Sequence, residues 1–213
     1  MIRSDVLFQA ATLPYELLTR NPVWESRCVR MLDELPPGAK RVLDLGCGPG
    51  NSTVQVANAL GRGVFGLDYA RAMLHRARAR SGALPLVCGD GTRLPIRSAT
   101  LDAVTFHSVL YLLPDRRAAL AEVARVLRPG GRVALLEPQA GTANTIGGIV
   151  RAMGTPRWAV AATLWRGVSG VYGRFTRDEL RGLLETSGLS VRKAESTLGG
   201  LAVLAVAERP LGA

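Results

Sequence analysis

The run Val42-Leu43-Asp44-Leu45-Gly46-Cys47-Gly48-Pro49-Gly50 constrains this 213-residue chain more than any other. An apolar strand ends there in a G-x-G-x-G turn, and a helical pattern opens near Asn51. With no Cβ at Gly46, Gly48 and Gly50, the backbone can bend sharply and lie against a flat, bulky ligand beyond the carboxyl end of the strand. Taken alone, such a turn is equally a tight strand-to-helix connection. Asp68 adds a second sign, because it ends the next apolar run 18 residues after Gly50, where a carboxylate accepts hydrogen bonds from both hydroxyls of a ribose. A dinucleotide pyrophosphate calls for G-x-G-x-x-G, and Asn51 stands where the last of those glycines belongs. A nucleoside without a pyrophosphate is therefore the expected ligand. Within Cys88-Gly89-Asp90-Gly91, Asp90 is either an acceptor for an adenine amino group, with Gly91 leaving room for the ring, or a surface acid in a turn.

Short apolar runs alternate with helical patterns across this region: Arg41 to Leu45, Gly63 to Leu67, Leu84 to Cys88, Leu101 to Phe106 and Arg132 to Leu136. Such alternation predicts repeated βαβ units, and runs as continuous as Val-Ala-Leu-Leu suit strands covered on both faces. The expected fold is α/β, a doubly wound, mostly parallel seven-stranded sheet with helices on both faces. A helix over Ala118 to Leu127 is predicted to stop at Arg128-Pro129-Gly130-Gly131. Phe8 to Glu34 reads as one or two helices broken near Asn21-Pro22, ahead of the Pro36-Pro37-Gly38 turn. Gln139 to Phe175 is too long for an ordinary loop and reads as a helical lid. In it Thr155-Pro156 opens a helix that places Trp158, Ala161, Ala162, Trp165 and Val168 on one face. A further helix, Thr176 to Thr186, precedes two strands near Leu189 to Ala194 and Leu201 to Ala207. These readings divide a single domain into a cap (1–38), a cofactor-binding core (39–138), a lid (139–175) and a C-terminal helix with a strand pair (176–213).

Composition excludes several alternatives. The formal charge of +10 is almost all arginine, with Lys40 and Lys193 the only lysines, and it is scattered along the chain. Arg71, Arg76, Arg78 and Arg80 do cluster, on a short helical stretch without aromatics, which reads as a solvated helix face; nucleic-acid binding is not expected. Cys28, Cys47 and Cys88 have no paired spacing and no nearby histidine, so neither a metal site nor a disulfide framework is expected, and a reducing cytoplasm fits. The beginning of the sequence lacks the apolar core of a signal peptide, and no run approaches the roughly 18 apolar residues of a membrane span. The expectation is a cytoplasmic protein, peripheral to a membrane at most. The sequence carries no signature of an oligomeric state.

Together these motifs resemble the class I, Rossmann-like S-adenosylmethionine-dependent methyltransferases, and among them the bacterial quinone-biosynthesis and small-molecule group. Besides Leu43-Asp44-Leu45-Gly46-Cys47-Gly48-Pro49-Gly50, the resemblance rests on Leu67-Asp68, Gly89-Asp90-Gly91, Leu101-Asp102-Ala103-Val104 and Glu122-Val123-Ala124-Arg125-Val126-Leu127-Arg128-Pro129-Gly130-Gly131. It implies that Asp44, Gly46, Cys47, Gly48 and Gly50 border the amino-acid part of S-adenosylmethionine, and that Asp68 holds its ribose. It further implies that Asp90 and Gly91 flank the adenine and that Phe106, His107 and Ser108 lie near the methionine part and the substrate, with Tyr69 and Met73 completing the contact set. Phe8 to Glu16 resembles the family's F-D-x-A-x-x-Y-D cap and adds Tyr15, although Gln9 and Glu16 replace its two acids. His-Ser-Val-Leu-Tyr after the fourth strand also departs from the asparagine-containing signature of the quinone enzymes.

On the acceptor side, methyl transfer from a sulfonium is an in-line displacement that asks chiefly for alignment and exclusion of water. A hydroxyl or acidic carbon acceptor also needs a base, and His107 is the best-placed candidate, either as base or as a pocket wall. His75 shares a surface-type helix with the arginines and reads as exposed. Tyr111 and Glu137 end the fourth- and fifth-strand regions and are candidates for orienting an acceptor. Trp24, Trp158, Trp165, Tyr172 and Phe175 either surround an apolar acceptor or form a core-facing stripe. The basic, tryptophan-bearing lid is also compatible with contact at an anionic membrane. The functional expectation is methylation of a small, apolar or aromatic molecule; the alternatives are a non-catalytic S-adenosylmethionine-binding protein, a peripheral-membrane lipid or quinone methyltransferase, and a nicotinamide-linked oxidoreductase.

Overall fold

A computed structural model describes residues 22–61, 63–141 and 146–212. Seven strands form one sheet in the order β3-β2-β1-β4-β5-β7-β6. The first five are β1 (Val42–Leu45), β2 (Val64–Asp68), β3 (Leu86–Cys88), β4 (Leu101–His107) and β5 (Leu127–Pro138), and they pair in parallel. The last two, β6 (Ser190–Thr197) and β7 (Ala202–Glu208), join as an antiparallel hairpin on β5. The expected α/β doubly wound sheet is borne out. Strand order reverses between β1 and β4, so a crevice opens beyond their carboxyl ends, where open α/β sheets bind ligands.

Two apolar layers sandwich the sheet. Leu43, Leu45, Val104, Phe106, Val133 and Leu135 look toward α4 (Arg116–Val126) and α7 (Arg177–Thr186). Val42, Val64, Ala103, Ala134 and Leu136 look the other way, toward α1 (Pro22–Arg30), α2 (Asn51–Leu60), α5 (Ile146–Met153) and α6 (Pro156–Tyr172). A fully buried leucine or phenylalanine in such a layer contributes about 1.5–3 kcal/mol. Among the described residues the remaining α-helix, α3 (Arg71–Arg80), follows β2 with Met73 and Ala77 buried, and His75 is exposed on it. Local chemistry sets the ends of the helices. Asp115 caps α4 by accepting from the Ala118 amide at 2.9 Å, so the helix opens at Arg116, ahead of the expected Ala118. Thr176 and Glu179 form a reciprocal capping box at the start of α7.

Two expectations need correction. The helix does stop before Arg128-Pro129-Gly130-Gly131, at Val126, but β5 opens at Leu127, ahead of the expected Arg132. Leu101 pairs with Leu127 and Ala103 with Arg132, so these four residues bulge opposite Asp102 alone. Gly131 passes so close to this strand that a Cβ there would lie 3.1 Å from the carbonyl oxygens of both Leu101 and Asp102. Secondly, Val168 does not join the buried face of α6, which consists of Ala159, Ala162, Trp165 and Ser169. The indole of Trp165 donates to Ser108 Oγ at 2.9 Å and Arg166 donates to the Gln139 carbonyl at 2.8 Å, and these two anchors rotate Val168 outward.

Asp102 ties the edge of this bulge to β1. Its Oδ2 accepts from the Lys40 and Arg41 amides at 2.8 Å each, and Oδ1 meets Arg128 Nε at 2.7 Å. Replacing Asp102 with Ala orphans two backbone donors at the start of β1, and denaturant unfolding should show a loss of about 2 kcal/mol or more.

Candidate functional site

The turn after β1 is held open by backbone geometry that only glycine adopts freely: Gly46, Gly48 and Gly50 have φ of 72°, 54° and 81°. A Cβ on Gly46 would fall 2.3 Å from Val109. The turn's amides are already used. Gly46 and Cys47 donate to the Leu67 carbonyl at 2.7 and 3.0 Å, Gly50 donates to the Cys47 carbonyl at 3.0 Å, and Gly48 donates to Asp68 Oδ2 at 2.8 Å. A pyrophosphate nest requires amides that point outward, and Pro49 has none. This turn presents a bare floor instead. Cys47 is buried against β2, where a Cβ on Gly66 would lie 2.7 Å from its sulfur, and burial raises the thiol's pKa.

Beneath the floor lies a buried polar knot. Asp44 is 1% exposed; its Oδ2 accepts from Thr53 Oγ1 at 2.6 Å and its Oδ1 from Thr105 Oγ1 at 3.1 Å. Thr105 and His107 alternate onto the same face of β4, which brings His107 Nε2 to 3.6 Å from Asp44 Oδ1. Burial pushes the Asp44 carboxyl up against the pull of His107, and pushes the His107 imidazole down against the pull of Asp44. The imidazole is therefore neutral at pH 7, the form that accepts a proton.

Asp68 reaches the turn from the end of β2. It is half-buried, with Oδ2 on the Gly48 amide and Oδ1 on the Ala70 amide at 2.8 Å, and burial raises its pKa against those two hydrogen bonds. Each oxygen keeps a second lone pair for a ligand hydroxyl. Tyr69, next along, is exposed, while Met73 is buried in α3. Asp90 is exposed, and its Oδ1 accepts from both the amide and the hydroxyl of Thr92 at 2.8 Å, the geometry of a surface acid in a turn; Gly91 is buried beside Leu45. Tyr15, with the rest of the cap before Pro22, lies outside the described residues.

The far side of the crevice closes over β4. Ser108 is buried with φ of 63°, unusual for a residue with a side chain. Its hydroxyl receives the Trp165 indole proton and also pairs with Tyr111, whose phenol burial pushes up to about 12. Trp24 packs edge-on against Trp165 with centroids 5.6 Å apart, and Tyr111 against Tyr172 at 6.4 Å. Trp158 is only partly buried, on the layer that holds Trp24. Arg116 joins the two sides by donating to the Tyr111 and Tyr172 carbonyls at 3.0 and 2.8 Å.

Two expected site residues are placed otherwise. Glu137 does not offer its carboxylate to an acceptor: it is fully buried and accepts from the Val109, Leu110 and Tyr111 amides at 3.0, 2.9 and 3.3 Å, clamping the 3-10 turn Leu110–Leu112. The Phe106 ring is fully buried in the α4/α7 layer, because alternation along β4 directs it away from His107. Thr53, Thr105 and Arg116 are not singled out by the sequence, where nothing distinguishes a threonine that holds a neighbour from one that faces water. Among the described residues no group of three or more metal-ligating side chains comes together.

The reversed strand order, the glycine floor and the acid at the end of β2 make an α/β fold similar to that of solved class I methyltransferases. Residues 43–135 match the methyltransferase domain family. Demethylmenaquinone methyltransferase of Corynebacterium urealyticum is 43% identical over 115 residues, which cover 54% of this chain and 48% of that protein. The chain thus spans about half the length of the curated relatives it matches. In fold, it is similar to the putative methyltransferase solved with the Trm112 activator of Haloferax volcanii, with a TM-score of 0.69, 20% identity and 96% of each chain covered. It is also similar to the [4+2]-cyclase SpnF, with a TM-score of 0.68, 17% identity and coverage of 98% of this chain and 97% of that one.

Burial raises the Glu137 carboxyl from 4.5 to about 7, so between those values the folded chain holds a proton that the unfolded chain has released. Its contribution to stability therefore falls as pH rises through that interval. Glu137→Gln should flatten this part of the stability–pH curve. It should also cost about 1–3 kcal/mol, because its amide group cannot accept from the Tyr111 amide; thermal denaturation across pH 4.5–7 checks both.

Proposed function

We propose that this protein transfers a methyl group from S-adenosylmethionine to a small, apolar ring compound of the quinol type. The observation that carries the reading is the glycine turn whose amides are spent internally while Asp68 remains at its rim: a nucleoside with no phosphate fits such a floor, and a dinucleotide does not. When bound, S-adenosylmethionine supplies an electrophilic methyl group on a positively charged sulfur. In this reading Asp68 takes the ribose hydroxyls, Gly46, Gly48 and Gly50 underlie the methionine portion, and Asp90 with Gly91 borders the adenine. Tyr69 and Met73 flank it, and the backbones of Cys47 and Phe106 bound the crevice.

The acceptor lies on the other side of the crevice, against Tyr111, Tyr172 and Trp165, with α5 and α6 as a lid that excludes water. These aromatic walls, and the demethylmenaquinone methyltransferases among the relatives, support an apolar ring acceptor. Trp24 backs that wall through its edge contact with Trp165, and Trp158 lies on the same inner side of α6. His107 receives the proton that an acceptor hydroxyl or acidic carbon loses as its new bond to the methyl carbon forms, and Asp44 stabilises the resulting imidazolium. Glu137 acts through the backbone by holding the turn that carries Tyr111.

The test is transfer of radiolabelled methyl from S-adenosylmethionine to a panel of apolar ring acceptors that includes a demethylmenaquinol. His107→Asn should lower turnover by roughly 10²–10⁴ with little change in cofactor affinity. Asp68→Ala should weaken S-adenosylhomocysteine binding about ten- to hundredfold while the protein stays folded. Unchanged turnover in the first variant removes the base, unchanged affinity in the second removes the ribose contact, and absence of transfer to every acceptor leaves a binding protein.

A further inference from the structure

Helix α6 is apolar on both sides. Its inner side packs on the sheet through Ala159, Ala162 and Trp165. Its outer side carries Val160, Leu164, Val168 and Val171, which are 63%, 57%, 45% and 83% exposed. Spaced at i, i+4, i+8 and i+11, they form one stripe opposite the buried one. The nearby Thr163 turns its hydroxyl back to donate to the Ala159 carbonyl at 2.8 Å, so it adds little polarity to this side. A helix with apolar residues all round is ordinarily covered all round.

Charge identifies the cover. From Pro138 to Arg177 the chain contains five arginines and no aspartate or glutamate. Arg151 is exposed on α5, the helix packed beside α6. A second copy laid on this stripe about a two-fold axis would set the acid-free basic segment against itself, like charge facing like charge. An anionic bilayer complements both features, because the stripe can enter the headgroup–acyl boundary while Arg151 and Arg177, which are exposed, meet phosphate headgroups; Arg166 and Arg174 are held inward on backbone carbonyls. We infer that the outer stripe of α6 docks this protein on an anionic lipid surface. Among the described residues no helix is long and apolar enough to cross a membrane, so the contact is interfacial. The inner side of the same helix places Trp165 on Ser108, so docking sets the roof of the candidate site at the lipid boundary, where an apolar acceptor is dissolved. This last consequence rests on the proposed methyl transfer; the docking does not.

The experiment is co-sedimentation of the full chain, without S-adenosylmethionine, with vesicles of phosphatidylcholine containing phosphatidylglycerol and with vesicles of phosphatidylcholine alone. The expected result is binding to the anionic vesicles that weakens with added salt. Leu164→Glu/Val171→Glu should reduce the partition coefficient at least about tenfold. Leu164→Ser/Val171→Ser should reduce it without adding negative charge, and both variants should keep the wild-type melting temperature, because the replaced side chains are exposed. Failure of the wild type to sediment with anionic vesicles, or equal partitioning of wild type and both variants, overturns the proposal. So does a wild-type dimer in sedimentation velocity that the double variants dissociate, which would make the stripe an interface between copies. A protein that docks as described but does not bind S-adenosylhomocysteine contradicts the methyltransferase reading and leaves the docking standing.

Discussion

The glycine turn at the end of β1 is the constraint on which the rest of the site depends. Three residues in left-handed backbone conformation let the chain double back over the end of β2, and the amides freed by that geometry are consumed at once by Leu67, Cys47 and Asp68. The turn is thus rigid before any ligand arrives, and preorganisation of this kind reduces the entropy lost on binding. It also sets the type of ligand: a surface of Cα atoms and carbonyl edges accepts a flat nucleoside and offers no anion nest. Asp68 does double duty, since the carboxylate that fixes the Gly48 amide stands at the rim of the floor.

Asp44 supports the same turn from below. A carboxylate taken wholly out of water is costly unless hydrogen-bonded, and two threonine hydroxyls supply those bonds here, one from α2 and one from β4. The knot therefore links the first helix after the turn to the strand that bears His107. Above it, Trp165 joins α6 to Ser108, and Arg116 joins the end of α6 to the turn that carries Tyr111. The roof and the floor of the crevice are fastened to adjacent residues of one strand end. A shift of α6 at its outer surface consequently has a direct mechanical path to the candidate site.

How legible this was in the sequence depended on whether one residue's chemistry had a single structural outlet. The parallel strands were legible because their continuous apolar runs fit only positions covered on both faces. The glycine turn was legible because three closely spaced glycines have few other uses. Arg128-Pro129-Gly130-Gly131 stops the helix as its proline and glycines predict, but the same residues also shape a bulge inside β5, and only the pairing of Leu101 with Leu127 reveals that earlier strand start. Val168 was misread because α6 is apolar on both sides, so periodicity could not say which stripe faces the core. Glu137 looks the same in sequence whether its carboxylate meets a ligand or three backbone amides, and the left-handed Ser108 carries no residue-type signal.

The central claim is that this crevice is built for a phosphate-free nucleoside. Calorimetric titration of the wild-type protein with S-adenosylhomocysteine, and in parallel with the oxidised nicotinamide dinucleotide, tests it most directly. The structure predicts saturable one-to-one binding of the sulfur nucleoside and no heat of binding from the dinucleotide. Binding of the dinucleotide, or a well-folded protein that binds neither, would contradict it.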